Sequence, residues 1–143
     1  MLRPLRIFWV ALATILSVLT ATAADLTILP QPTRITQEEG HFRLSSRTPI
    51  HVADGLWNPA TRFVEDVAGV VTLKAPQAES KRAGGIRLYL DKTLPTEGYR
   101  MAVTPREIRI EGGSEAGVYY ALQSLRQLVV AHPNRIPCCT IED

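Results

Sequence analysis

Ile108-Arg109-Ile110-Glu111-Gly112-Gly113-Ser114-Glu115-Ala116-Gly117-Val118-Tyr119-Tyr120-Ala121-Leu122-Gln123-Ser124-Leu125-Arg126-Gln127-Leu128-Val129 runs from a strand through a glycine-rich turn into an amphipathic helix. Upstream, Gly98 to Thr104 and Glu107 to Glu111 are both strand-like and are joined by Pro105-Arg106. That spacing predicts a β-hairpin, although its turn lacks the preferred Asn-Gly pair. Ser114 is placed to cap the helix. Val118, Ala121, Leu122, Leu125, Leu128 and Val129 fall on one helical face. Burying that face contributes roughly 1.5–3 kcal/mol for each large side chain.

The rest of the chain fits the same scheme. Ile28-Leu29-Pro30-Gln31-Pro32 is a stiff extended lead-in, because each proline fixes φ and biases its predecessor away from helix. His41 to Leu44, Pro49 to Val52 and Ile86 to Leu90 read as strands, with Ala53-Asp54-Gly55 turning out of the second. Asn58-Pro59 offers a cap and a proline for the first turn of a helix. Phe63, Val64, Val67, Val70 and Val71 then keep helical spacing, which predicts a helix from Pro59 to Leu73. Strands followed by helices that must cover one sheet face give an α+β class, with a small antiparallel or mixed sheet and two main helices packed on one side. No internal repeat or low-complexity tract interrupts it.

Residues 1–23 carry Arg3 and Arg6, an apolar run from Ile7 to Leu19 and a small-residue site at Ala21-Thr22-Ala23. This is the pattern of a secretory signal peptide, and the run falls short of the ~20 apolar residues of a membrane span. Mature residues from Ala24 onward number 120 of the 143, enough for one core and not two. Without the signal, 14 basic residues balance 14 acidic ones. That neutrality argues against a nucleic-acid partner, which requires a clustered basic surplus. The two cysteines, Cys138 and Cys139, are adjacent. Bridging them would strain the intervening peptide, so they are expected to be unpaired on an extended segment, one facing a core and one facing outward.

The sequence offers little reactive chemistry. Gly112 to Gly117 could be read as an anion-binding loop, but Val118 and Tyr119 stand where a Walker loop needs Lys and Ser/Thr, and Glu115 adds negative charge. A scaffold turn with a capped helix is the better reading. Adjacent carboxylates occur at Glu38-Glu39, Glu65-Asp66 and Glu142-Asp143. The first pair lies beside Gly40, where the sequence predicts a turn. The second diverges by about 100° on a helix, and the third lies at the chain end. His41, His51 and His132 show no metal-ligand spacing, and His132 fits a cation at a helix C-terminus. No serine lies in a nucleophile elbow. The expectation is no catalytic, substrate-binding or metal-binding residue in this chain, and no cofactor.

The hairpin strand, the Gly-Gly-Ser-Glu-Ala-Gly turn, the Tyr-Tyr-Ala-Leu-Gln-Ser-Leu-Arg-Gln-Leu helix and the Ile136-Pro137 exit together resemble the N-terminal domain of glycoside hydrolase family 20, the β-N-acetylhexosaminidases. The resemblance implies a domain over 24–135, with 136–143 as linker and start of a catalytic (β/α)₈ barrel. That barrel needs at least ~200 residues. In such enzymes it carries an Asp-Glu pair in which the Glu is general acid and the Asp orients the substrate's acetamido group for attack on the anomeric carbon. The partner implied is that barrel, with the glycan reached only through it. The reading from another class is a free-standing secreted module that binds carbohydrate or protein without hydrolysis.

Overall fold

A computed structural model describes residues 26–53 and 55–143. Residues 1–25, with the segment read as a secretory signal, and Asp54 lie outside the described residues. Seven strands and two helices follow in the order β1 (Arg34–Arg43), β2 (Ile50–Val52), α1 (Trp57–Val67), β3 (Gln77–Ala78), β4 (Gly85–Leu90), β5 (Tyr99–Val103), β6 (Glu107–Gly112), α2 (Glu115–Ala131) and β7 (Arg135–Glu142). They form one mixed sheet in the order β1-β7-β5-β6-β4-β2-β3. Pairing is antiparallel from β1 through β7 and β5 to β6, and parallel from β6 through β4 and β2 to β3. The α+β class and the β5–β6 hairpin are as the sequence predicts.

The strand register sorts side chains into rows because alternate residues point to opposite faces. One row aligns Ile50, Ile86, Ile108, Val103 and Cys139 across five strands; a second aligns Val52, Leu88, Ile110, Met101 and Ile141. All ten are buried. α2 covers these rows by packing on β4, β5, β6 and β7, and α1 lies against α2 and β2. The predicted inner face of α2, Val118, Ala121, Leu122, Leu125, Leu128 and Val129, is buried throughout.

Four expectations are corrected. The segment 136–143 does not leave the domain: it is β7, hydrogen-bonded on both sides by β1 and β5. Its Ile136, Cys139 and Ile141 complete the core. α1 begins at Trp57, so Asn58 lies inside the first turn and the cap position falls to Leu56, whose side chain makes no capping bond. Pro59 is still tolerated there, since the first four helical N–H groups lack intrahelical acceptors. The helix ends at Val67, ahead of Gly69, a residue that costs about 1 kcal/mol in a helix. Val70 is consequently exposed. The strand expected at His41 is the end of a ten-residue β1.

The fourth correction concerns the thiols, both of which are buried and free. Cys139 faces the core as expected. Cys138 points the other way but is covered by an irregularity in β1 between Gln37 and His41. Gly40 turns there with φ 97°, and a Cβ on it would lie 3.6 Å from Cys138 Sγ.

Candidate functional site

The glycine-rich turn is built for close packing rather than for binding an anion. A Cβ at Gly112 would collide with Val118, one at Gly113 with Pro95, and one at Gly117 with the carbonyl of Gly98. These glycines let α2 start against the end of β6 and the Pro95–Gly98 turn. Two amides of the turn already have acceptors: Gly113 N donates to Gly98 O at 3.0 Å and Ala116 N to Ser114 Oγ at 3.1 Å. Ser114 also donates to Thr96 O, so one hydroxyl caps α2 and ties it to the preceding loop.

Of the adjacent carboxylate pairs only Glu142 and Asp143 border one cavity, a small one of about 150 Å³, and there each is engaged by a different partner. Glu38 accepts from Thr140 Oγ1 at 3.1 Å at the β1 irregularity. Glu65 and Asp66 are exposed near the end of α1. Glu142 is bonded to Arg100 at 3.3 Å, with Arg34 at 3.5 Å, whereas Asp143 accepts from Thr33. The histidines are equally dispersed. His51 is buried with Nδ1 3.3 Å from Ala78 O, His41 Nδ1 lies 3.2 Å from an Arg135 nitrogen, and His132 is the C-cap of α2. Among the described residues no group of three His, Cys, Asp or Glu side chains is placed to hold a metal ion.

The two outer surfaces of the domain differ in chemistry. On the helix-free side of the sheet, the register aligns Tyr89, Glu111, Arg100, Glu142 and Arg34 across five strands. Arg109 stacks over the Tyr89 ring with its guanidinium carbon 4.2 Å from the centroid and reaches Glu111 at 2.8 Å. Glu111 to Arg100 is 3.7 Å, and Glu142 links Arg100 to Arg34. The row is a chain of mutually neutralising charges. Beside it, buried Arg87 donates to Ser80 O and Arg82 O and lies near Glu79 and Glu107, so it holds the 79–82 loop on the sheet.

On the helical side, large apolar and aromatic side chains stand exposed among charged ones such as Arg62, Glu115 and Arg126. Trp57, Tyr119, Tyr120 and Val130 are exposed on the helices, and Leu29, 71% exposed, is fastened to α2 by Gln127. A groove of about 610 Å³ runs between α1 and α2, lined by Asn58, Pro59, Arg62, Glu115, Ala116, Tyr119 and Tyr120. The two tyrosine rings meet edge to face at 5.8 Å. This outer stripe is the feature that reading α2 for its inner face alone misses. Its signal is the doubling of apolar residues, Val118 with Tyr119 and Val129 with Val130.

Burial raises the thiols. Cys139 is pushed up to about 12 by desolvation, with Cys138 and Glu38 adding to it, and Cys138 is raised for the same leading reason. Neither is a nucleophile at neutral pH. The Tyr99 phenol is raised by burial against the opposing effect of its 2.7 Å hydrogen bond with Ser124, which ties β5 to α2.

Comparison with known proteins agrees with this architecture. The family model for glycosyl hydrolase family 20, domain 2, matches residues 25–143. A β-hexosaminidase of Porphyromonas gingivalis is 27% identical over 111 residues, covering 74% of this chain and 14% of that protein. The crystal structure of a β-N-acetylhexosaminidase from Bacteroides fragilis superposes with a TM-score of 0.67 at 31% identity, covering 83% of this chain and 25% of that one. A Vibrio harveyi exo-β-N-acetylglucosaminidase gives a TM-score of 0.68 at 26% identity, covering 85% of this chain and 20% of that one. The chain thus spans a quarter or less of the length of these relatives.

Proposed function

Because the chain belongs to glycosyl hydrolase family 20 as its domain 2, we propose that it is the non-catalytic scaffold domain of a secreted β-N-acetylhexosaminidase, docked through its helical layer on the catalytic barrel. The parent activity is release of terminal N-acetylhexosamine from glycans. The observation that carries the docked arrangement is the contrast between the two outer surfaces. Charges on the sheet side are already paired with each other, and burying such pairs gains little over leaving them in water. The helical side leaves Trp57, Tyr119, Tyr120 and Val130 in solvent, the two tyrosines on the wall of a groove. Exposed large apolar and aromatic side chains, with Tyr119 and Tyr120 packed edge to face at a groove, are what interfaces are enriched in.

Reactivity within the chain points the same way. Glycoside hydrolysis needs a general acid and a second carboxylate or its substrate-borne equivalent on one sugar ring. The groove holds one acid, Glu115, beside Arg62, and the paired acids lie elsewhere. The domain's contribution is therefore a docking surface.

The test compares residues 24–143 with a chain extended through its downstream domain. The short chain is expected to self-associate or to brighten a hydrophobic dye, and the extended chain to do neither. A short chain that stays monomeric and dye-silent at high concentration overturns the docked arrangement and favours a free-standing binding module.

A further inference from the structure

The two ends of the domain meet at one corner, and the contacts there are made by side chains gripping backbone. Gln127, on α2, accepts from Leu29 N at 2.9 Å through Oε1 and donates to Leu29 O at 2.7 Å through Nε2. A single amide therefore satisfies both backbone groups of a residue 98 positions earlier. The Asp143 carboxylate accepts from both Thr33 N and Thr33 Oγ1, each at 3.0 Å. The Asp143 backbone is itself fixed, since its N donates to Tyr99 O at 3.0 Å and its O accepts from Tyr99 N at 2.9 Å. Ile28, just before the first grip, and Pro32, between the two, are buried. Residues 26–33 belong to no strand or helix, so these contacts are what orders them.

We propose that Gln127 and Asp143 form a clasp that pins the segment Leu29–Thr33 across the ends of α2 and β7, and that Asp143 thereby fixes the direction in which the chain continues from the domain. Two carboxylate hydrogen bonds and two backbone bonds hold residue 143 on both its side chain and its main chain. A continuing peptide starts from that fixed point beside Leu29 and Tyr120, which line the same small cavity as Asp143. That corner borders the helical layer on one side and, through a second small cavity that Asp143 and Thr33 share with Arg100 and Glu142, the edge of the charged sheet face on the other. Asp143 is a positioning residue, and neither it nor Thr33 is assigned any part in chemistry. The direction-setting half of the inference rests on the docked arrangement proposed above; the pinning half does not.

Hydrogen exchange on the 143-residue chain tests the pinning. Asp143→Ala is expected to speed exchange of the Thr33 amide at least about tenfold, with core amides of α2 such as Leu125 within about twofold, since local opening leaves the global transition in place. Asp143→Asn keeps an acceptor oxygen and is expected to restore most of the protection, and Thr33→Val, which keeps the N–H, should lose less than Asp143→Ala. A Thr33 amide that exchanges at the same rate in Asp143→Ala as in the parent overturns the clasp. Proteolysis of the chain extended through its downstream domain tests the direction. A junction after residue 143 that resists cleavage in the parent and is cut about tenfold faster in Asp143→Ala supports the proposal. Resistance unchanged by Asp143→Ala overturns direction-setting while leaving the docked arrangement standing. A parent junction cut as fast as a free peptide overturns both.

Discussion

Leu125 is fully buried on the inner side of α2, so its truncation leaves a cavity that the sheet beneath cannot close. Leu125→Ala is expected to lower stability by ~2–5 kcal/mol in a denaturant titration; a loss under about half a kcal/mol would place the side chain at the surface. Cys139 makes stability depend on alkaline pH. Its thiol stays protonated in the folded chain up to about 12, whereas the unfolded chain ionises it from about 8.5. Between those values the folded state binds the extra proton, so stability falls as pH rises, by about 1.4 kcal/mol per unit for this group. Urea titrations at pH 8 and pH 10 check the slope, and Cys139→Ala should reduce it, leaving the part contributed by Cys138 and Tyr99, which burial also raises. Ser114 was legible in the sequence because capping is a local event, completed within three residues. Cys138 was not, because what buries it is Gly40, almost a hundred positions away, held at φ 97° in an irregular strand.

At the scale of elements, β7 matters most and was the least legible. Ile136-Pro137-Cys138-Cys139-Thr140-Ile141 reads as extended from its residue types, and it is extended. Whether an extended segment leaves a domain or enters its sheet depends on partners far away in sequence, here Arg34 to Arg43 and Tyr99 to Val103. A chain ending at Asn134 should therefore lose its cooperative unfolding transition, because deletion separates β1 from the sheet and removes Ile136, Cys139 and Ile141 from the core. Circular dichroism through a thermal ramp checks this; a sharp transition near that of the parent would mean that β7 is an accessory strand. The hairpin and α2 were legible because their patterns are strong and their partners adjacent. The bounds of α1 were not, because valine spacing runs on past Gly69 while the backbone does not.

For the whole molecule, the inner surfaces of helix and strand announce themselves through periodicity, and outer surfaces do so only weakly. The charge row on the sheet can be seen in part in Arg109-Ile110-Glu111, but its extension through Arg100, Glu142 and Arg34 requires the strand order. The aromatic stripe of α2 is present in the sequence as Tyr119-Tyr120, where it reads as helix filler until the fold shows those rings in solvent. On the proposed function, both surfaces belong to a domain that supports a reaction performed elsewhere. The most direct measurement is turnover of a chromogenic N-acetylglucosaminide by purified residues 24–143 beside a chain extended through the downstream domain. The short chain is expected to show none and the extended chain to hydrolyse the substrate, because an acid and an acetamido-orienting carboxylate must share one pocket. Turnover by the short chain that survives repurification and disappears with Glu65→Gln or Glu142→Gln would contradict the scaffold account.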